Sequence, residues 1–502
     1  MADNMQPKRL VIVGGGTAGW MAANLFAARW ASAGVHITLV ESPDVPTVGV
    51  GEGSTPTLKR FFQAIGVQES DWMPAANATY KVNIRFKDWA PDAGAVDYSH
   101  PFISQPDTFT QRDFLINART RRMGLDTHTT PADFLLNGVL AKHGKGPITP
   151  DNFPFRIEYG YHFDAGLLAQ HLRRTAIDRG VNHLTAHIDT VGQSDDGAIT
   201  RLHTRDGQSI DGDFFIDCSG FKAMLMRETL GVAHKSFNAN LFNDAAVVAA
   251  TEALHPLPPE TLSTALSAGW AWRIPLTNRT GNGYVYSSDF ISREQAEQEF
   301  RQHLGLSEQQ ECRHLRMQVG QLEKHWHKNC LALGLSQGFI EPLEATALHL
   351  VQICTELFMD LFEKAGFSSQ HAQEYNQRVS DRFERVRDYI VAHYKLNNRN
   401  DSDYWRACRA MTDLSPSLQG ILDCWYKAGD LETEIQRQGI ENHFGAVSWN
   451  CLLAGYGVFP KLAPTQPGTG DLYQEKRIAQ FLEGCALNFS DHAHNLQLLH
   501  KK

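Results

Sequence analysis

Three glycines and one carboxylate carry the first chemistry the sequence offers. Gly14, Gly16 and Gly19 form GxGxxG inside KRLVIVGGGTAGWMAANLFAARW, and Glu41 follows 22 residues after Gly19 (41 − 19). Glycines at that spacing let the backbone close on a pyrophosphate at a helix N-terminus, and a carboxylate at that distance binds a ribose hydroxyl pair. An unmodified 2′-hydroxyl suits FAD or NAD, not NADP. The second feature is aromatic. SAGWAWRIPL sets Trp270 and Trp272 two positions apart, just ahead of Pro275. In a strand both indoles share one face, and the proline stops the ladder or marks an edge. A core strand would use two such rings for burial alone, so the rest of the chain must decide.

These residues need elements to hold them. Leu10 to Val13 reads as a buried strand, then comes a glycine turn, then a helix whose alanine-rich face can approach a sheet. VHITLVESP reads as a second strand ending at Glu41. The run DGDFFIDCSGFKAML, with Asp217 closing an apolar strand before Ser219 and Gly220, resembles the second nucleotide-proximal strand of flavoprotein monooxygenases. Between these passes, GYHFDAGLLAQHLRRTAIDRGVNHLTAHIDTV supplies an amphipathic helix and a strand near Ile188, whose backbone is placed beside an adenine. No second GxGxxG follows a strand, so reduced flavin is expected from elsewhere. From about residue 353 the chain reads as helical and rich in aromatics. The expected fold is α/β: a flavoprotein-monooxygenase-like, Rossmann-type (ββα) FAD-binding module over 1–352, with about 95–150 contributing to the substrate site. A mainly helical substrate-covering module follows over 353–502.

The bulk composition narrows the function classes. The 502 residues are 42% hydrophobic, enough for a large core and two modules. Net charge is −9, from 47 Lys and Arg against 56 Asp and Glu with no basic block, which leaves no footprint for a phosphate backbone. No apolar run approaches the roughly 20 residues of a bilayer span, and the first residues lack the pattern of a signal peptide. A cytoplasmic protein with neither nucleic acid nor membrane as partner is expected. The eight cysteines are scattered, with no CxxC pair and no histidine cluster at zinc spacing, so no metal is expected.

GGGTAGWMAA, VGVGEGSTPTL, YHFDA, IDCSGF, GWAWRIPL and FIEPLEAT occur in the order found in flavin-dependent tryptophan halogenases, and the resemblance runs from about residue 8 to 460. It implies an enzyme that uses reduced FAD, oxygen and chloride or bromide to make hypohalous acid. Trp270 and Trp272 then wall the organic substrate away from the flavin. Lys81, in NATYKVNIRFKDW, matches the family lysine that forms a haloamine or hydrogen-bonds hypohalous acid; Tyr80, Val82 and Ile84 around it predict partial burial, which would lower its pKa. Glu344, in LSQGFIEPLEATALHLVQ, matches the catalytic glutamate, just ahead of a long helix expected from 344 to about 365. A plain first-turn carboxylate favoured by the helix dipole is the competing reading. The backbone N–H groups of Thr346 and Ala347 match the halide site, although the family has serine at Ala345 and glycine at Ala347. Gly14, Gly16, Thr17, Ala18, Gly19, Glu41, Gly53, Ile188, Leu335 and Leu348 correspond to flavin-contacting positions. His100 and Phe102 fall where the family sandwiches an indole, with Trp449 joining them.

The family lid that grips the amino-acid backbone of free tryptophan has adjacent tyrosines; this chain has ETEIQRQGIENHFGAVSWNCLLAGYGVFP. Without those partners a zwitterion would bury unpaired charge, so a simpler indole or another electron-rich arene is the expected substrate. The implied partner is a separate NAD(P)H-dependent flavin reductase, with monomer and homodimer both open. A flavin-dependent aromatic hydroxylase of the same fold and a non-catalytic FAD-binding protein are the alternatives.

Overall fold

Val11, Ile12 and Val13 are buried because the strand Arg9–Val13 has a parallel neighbour on each side, Phe214–Asp217 on one and His36–Glu41 on the other. In the computed structural model, which describes residues 9–44, 51–91, 97–468 and 470–499, these strands lie in a six-stranded sheet. Its order is Trp326–His327, Cys330–Ala332, Phe214–Asp217, Arg9–Val13, His36–Glu41, Asn182–Thr185, parallel throughout except for the first hairpin. The fold is α/β, with a Rossmann-like sheet begun at the N-terminal strand and a helical C-terminal region. Val48, Gly49 and Val50 of the VGVGEGSTPTL motif lie outside the described residues.

Contacts group the chain into two units, each assembled from three segments. The first takes 1–78, 163–238 and 317–384, and the second takes 79–162, 239–316 and 385–502. The first unit holds the Rossmann-like sheet, the helix Thr17–Trp30 and the helix Ala347–Lys364. At the far ends of those two helices Arg29 pairs with Asp360 and Glu363, and the Trp30 indole N–H donates to Glu363.

The second unit is organised by a seven-stranded sheet in the order Arg313–Arg316, Ala245–Thr251, Thr280–Tyr286, Gly269–Pro275, Glu260–Leu266, Asn83–Lys87, Asp97–Pro101. The tryptophan strand is central, not an edge: Gly269–Pro275 pairs on both sides, and Pro275 is simply its last paired residue. Both indoles share a face with ring centroids 6.0 Å apart, and both are buried. The Trp272 ring lies across Gly283, where a Cβ would come 2.2 Å from it, so the strand beneath needs a residue without a side chain. Lys81 precedes an alternating strand, Asn83–Lys87, and itself ends a separate short one, Thr79–Lys81. Thr79–Lys81 pairs antiparallel with Gly160–Asp164, whereas Asn83–Lys87 joins the large sheet. The break falls at Val82, whose N–H donates to Pro259 while its carbonyl accepts from Phe102.

Candidate active site

The nucleotide end is built from backbone. Gly14 has φ of +115°, and a Cβ there would lie 2.1 Å from the Cys218 carbonyl oxygen. A Cβ on Gly19 would lie 2.0 Å from the Gly14 carbonyl oxygen, so helix and strand approach only because it is missing. Gly16 is different: nothing lies within 4 Å of its Cβ position. It caps the helix Thr17–Trp30 without any side-chain hydrogen bond, leaving the first turn, with Thr17 and Ala18, beginning at open space. A tight turn, a free approach and a close helix are what a pyrophosphate at a helix N-terminus requires, so these residues fit FAD.

Glu41 ends its strand beside that turn, with its carboxylate where a Cβ on Gly15 would come within 1.6 Å. His183 Nε2 is 2.7 Å and Arg173 3.4 Å from the same oxygen. The Ala186 N–H donates to the Glu41 carbonyl just before the strand Ile188–Gln193 begins, and half-buried Ile188 packs on the hydrophobic core. Asp217 is fully buried and accepts from the N–H groups of Ser219, Leu225 and Met226 and from the Ser219 hydroxyl, at 2.6–3.0 Å. The sequence marked it only as a strand end. The turn Gly334–Ser336 sits against the start of the first helix, with a Cβ on Gly334 falling 2.6 Å from Ala18, and it carries Leu335, 41% exposed. Leu348 is buried in the first turn of Ala347–Lys364, and His349 beside it contacts the Thr57 hydroxyl at 3.2 Å. Gly53 ends the short strand ahead of the helix Thr57–Ala64.

Glu344 is buried, but it is not a helix residue. The helix begins at Ala347; Pro342–Glu344 is a 3₁₀ turn, and Ala345 follows in the left-handed region at φ +56°. That reversal breaks the expected helix start at 344 and removes Glu344 from the first turn, so the dipole reading does not apply. Thr346 caps the helix and Ala347 opens it. Glu341, the neighbouring carboxylate, is equally buried, so burial does not separate the two.

In the second unit Lys81 is buried completely, deeper than expected. Its Nζ is 5.4 Å from the centre of the Phe102 ring, a cation–π distance. Gly160 stands opposite it across the ladder. His162 and His492 are buried nearby; His162 belongs to the YHFDA motif but was given no role there, and His492 drew no attention in the sequence. Burial, then Lys81, then His492 hold His162 well below its ordinary pKa; burial takes His492 down to about 4 against the opposing bond to Leu257. His100 has further partners: its Nε2 is 3.0 Å from the Ser448 hydroxyl, and its ring is 5.9 Å from Tyr389. Trp449 joins them, buried and edge-on to Tyr389 at 4.8 Å. Phe444 stacks on the Tyr389 ring at 3.7 Å. Tyr389, Phe444 and Ser448 were not anticipated, since nothing in the sequence separates them from ordinary helix and loop residues.

Among the described residues no group of ligands suits a metal ion, all eight cysteines are free, and no helix is long and apolar enough to cross a membrane.

A family model for tryptophan halogenases matches residues 9–468. The chain is 37% identical to a tryptophan 6-halogenase of Streptomyces toxytricini over 80% of its own length and 81% of that protein's. Among solved structures it superposes on a flavin-dependent halogenase from Xanthomonas campestris with a TM-score of 0.84, at 33% identity over 98% of each chain. A flavin-dependent halogenase from a Brevundimonas species gives a TM-score of 0.83 at 33% identity, over 98% of this chain and 99% of that one.

Proposed function

The chain belongs to the flavin-dependent tryptophan halogenase family and is a flavin-dependent halogenase of aromatic substrates; from that premise we propose that it halogenates an indole or similar electron-rich arene, with Lys81 handing on the halogen. The observation that carries this reading is the burial of Lys81 against Phe102. An ammonium that the fold did not use would be left in water, because desolvating it is costly.

When bound, reduced FAD, supplied by a separate NAD(P)H-dependent flavin reductase, and oxygen provide the oxidising equivalents that turn bromide or chloride into hypohalous acid. Gly14, Gly16, Thr17, Ala18 and Gly19 would hold the pyrophosphate and Glu41 the ribose, with Gly53, Ile188, Leu335 and Leu348 lining the remainder. The N–H groups of Thr346 and Ala347 offer halide a place at a helix start. Trp270 and Trp272 keep the arene from the flavin, which disfavours hydroxylation. The Lys81 Nζ takes the halogen as a haloamine or holds hypohalous acid by a hydrogen bond. A ring carbon then bonds to the halogen, and its proton leaves to the Glu344 carboxylate. His100, Phe102 and Trp449 orient the ring by stacking, worth roughly 0.5–1.5 kcal/mol per aromatic pair beyond burial.

Free tryptophan fits less well. Where the family lid would pair its charges, Phe444 is stacked on Tyr389 and the segment runs directly into the helix Ala446–Gly455. Each charge-assisted hydrogen bond forgone is worth roughly 1.5–3 kcal/mol. Bromide should be used ahead of chloride, since it gives up electrons more easily and the halide turn departs from the family at Ala345 and Ala347. The test is one reaction containing FAD, a flavin reductase, NADH, both halides, indole and tryptophan, read by mass spectrometry. Bromoindole is the expected main product. Hydroxyindole would make the protein a hydroxylase, and a majority of chlorotryptophan would overturn the reading of the lid.

A further inference from the structure

Two histidines bracket the lysine strand, and in one of them the hydrogen bonds fix the protonation state. The Thr79 hydroxyl has one proton, which it donates to the Pro275 carbonyl at 2.8 Å. Its oxygen therefore accepts from His162 Nδ1 at 3.1 Å, and His162 Nε2 meets the Thr261 hydroxyl at 2.8 Å. His492 is more constrained. Its Nε2 accepts the backbone N–H of Tyr80 at 3.1 Å, and its Nδ1 faces the Leu257 carbonyl at 3.0 Å. A nitrogen that accepts from an N–H carries a lone pair, and one that faces a carbonyl carries the proton. His492 is thus a neutral Nδ1–H imidazole, buried to 1% exposure, bridging the residue before Lys81 to a loop of the sheet unit.

We propose that His492, from the short helix His492–Leu499, is a positioning residue for the halogen-transfer amine: by accepting the Tyr80 N–H it fixes the strand Thr79–Lys81 and so the place of Nζ. The proposal rests on the reading of Lys81 as the transferring group. The strand needs such a tie because it is only three residues long and the chain leaves it at Val82 for another sheet. On its other edge Gly160–Asp164 already uses the ladder. A neutral imidazole provides the acceptor without placing a cation beside the buried amine.

The test separates acceptor from donor. Glutamine can put its carbonyl oxygen near the Nε2 position, whereas asparagine reaches only as far as Nδ1. His492→Gln should keep halogenated product per reduced flavin consumed within threefold of the parent. His492→Asn and His492→Leu should lower that yield at least tenfold, through kcat and not the KM for indole, with oxygen-dependent flavin oxidation unchanged. Independently of turnover, hydrogen exchange of the peptide holding Tyr80 should accelerate in the Asn and Leu variants and stay slow in the Gln variant. Equal losses in all three variants, or flavin oxidation falling in step with halogenation, would show a merely structural histidine and overturn the proposal, as would an Asn variant of normal yield. Lys81→Ala keeps the premise separate: if that variant halogenates normally, the lysine reading fails; if it is inactive while His492→Asn is normal, only the positioning role fails.

Discussion

The two units handle polarity in opposite ways. Around the glycine turn the first unit offers backbone, open space at Gly16 and a carboxylate that shares its charge with His183 and Arg173, all partly in reach of water. Around Lys81 the second unit offers a fully desolvated amine, two imidazoles held neutral, and hydroxyls bonded to a carbonyl at Thr79 and to an imidazole at Thr261. A site for a charged dinucleotide can be made of donors that any residue carries, because the ligand brings the charge. A site that must hold a reactive halogen away from water has to be made of particular side chains, each with its partner. Substitutions should therefore separate ligand binding from chemistry according to the unit they fall in.

The largest effect expected is at Lys81. Lys81→Ala should reduce halogenation to background while FAD binding and oxygen consumption persist, and Lys87→Ala, six residues on, should serve as the active control; both are read from product mass and oxygen uptake. Next is Glu344→Gln, for which a loss of roughly 10²–10³ in halogenation rate is expected if the carboxylate accepts the ring proton, with flavin oxidation unaffected. An active Glu344→Gln enzyme would return the first unit to a purely binding role.

Acid should weaken both units, and the sign follows from burial. His325 in the first unit is pushed down to about 3 and His492 in the second to about 4, so the unfolded chain takes up protons first. Their contribution is complete above about pH 6.5 and is lost as pH falls toward those values. Between pH 7 and 5 each should cost roughly 2 kcal/mol of stability, measured by urea unfolding. Replacing either histidine by glutamine should flatten its share of that pH dependence. The smallest effects sharpen the contrast between open and filled glycines. Gly283→Ala drives a methyl into the Trp272 ring and should cost about 1–3 kcal/mol. Gly16→Ala meets nothing, and should leave the melting temperature of the FAD-free protein unchanged while weakening FAD binding.

The same contrast explains what could be read from the chain alone. Gly14, Gly16, Gly19 and Glu41 are legible because a backbone site is made by consecutive residues, and glycine marks where a side chain is forbidden. His492 is illegible because its partner Tyr80 is 412 positions away and nothing in SDHAHNLQLL distinguishes one histidine from the next. The helix start at Glu344 misleads for a different reason: alanine is the best helix former, so the left-handed reversal at Ala345 has no signature in residue type. At Val82 the alternation of polar and apolar residues runs on through a change of sheet, because period two records which face is buried and not which strand lies alongside.

The Thr79 hydroxyl has a consequence for redesign. It bonds the carbonyl of Pro275, the last residue of the strand that carries Trp270 and Trp272, and it stands two residues before Lys81. Randomising the tryptophans to admit bulkier arenes therefore also shifts an anchor of the lysine strand, so gains in substrate range and losses in coupling should be inherited together. Libraries that vary Thr79, Thr261 and His162 alongside the two tryptophans would let the anchor readjust to each new wall.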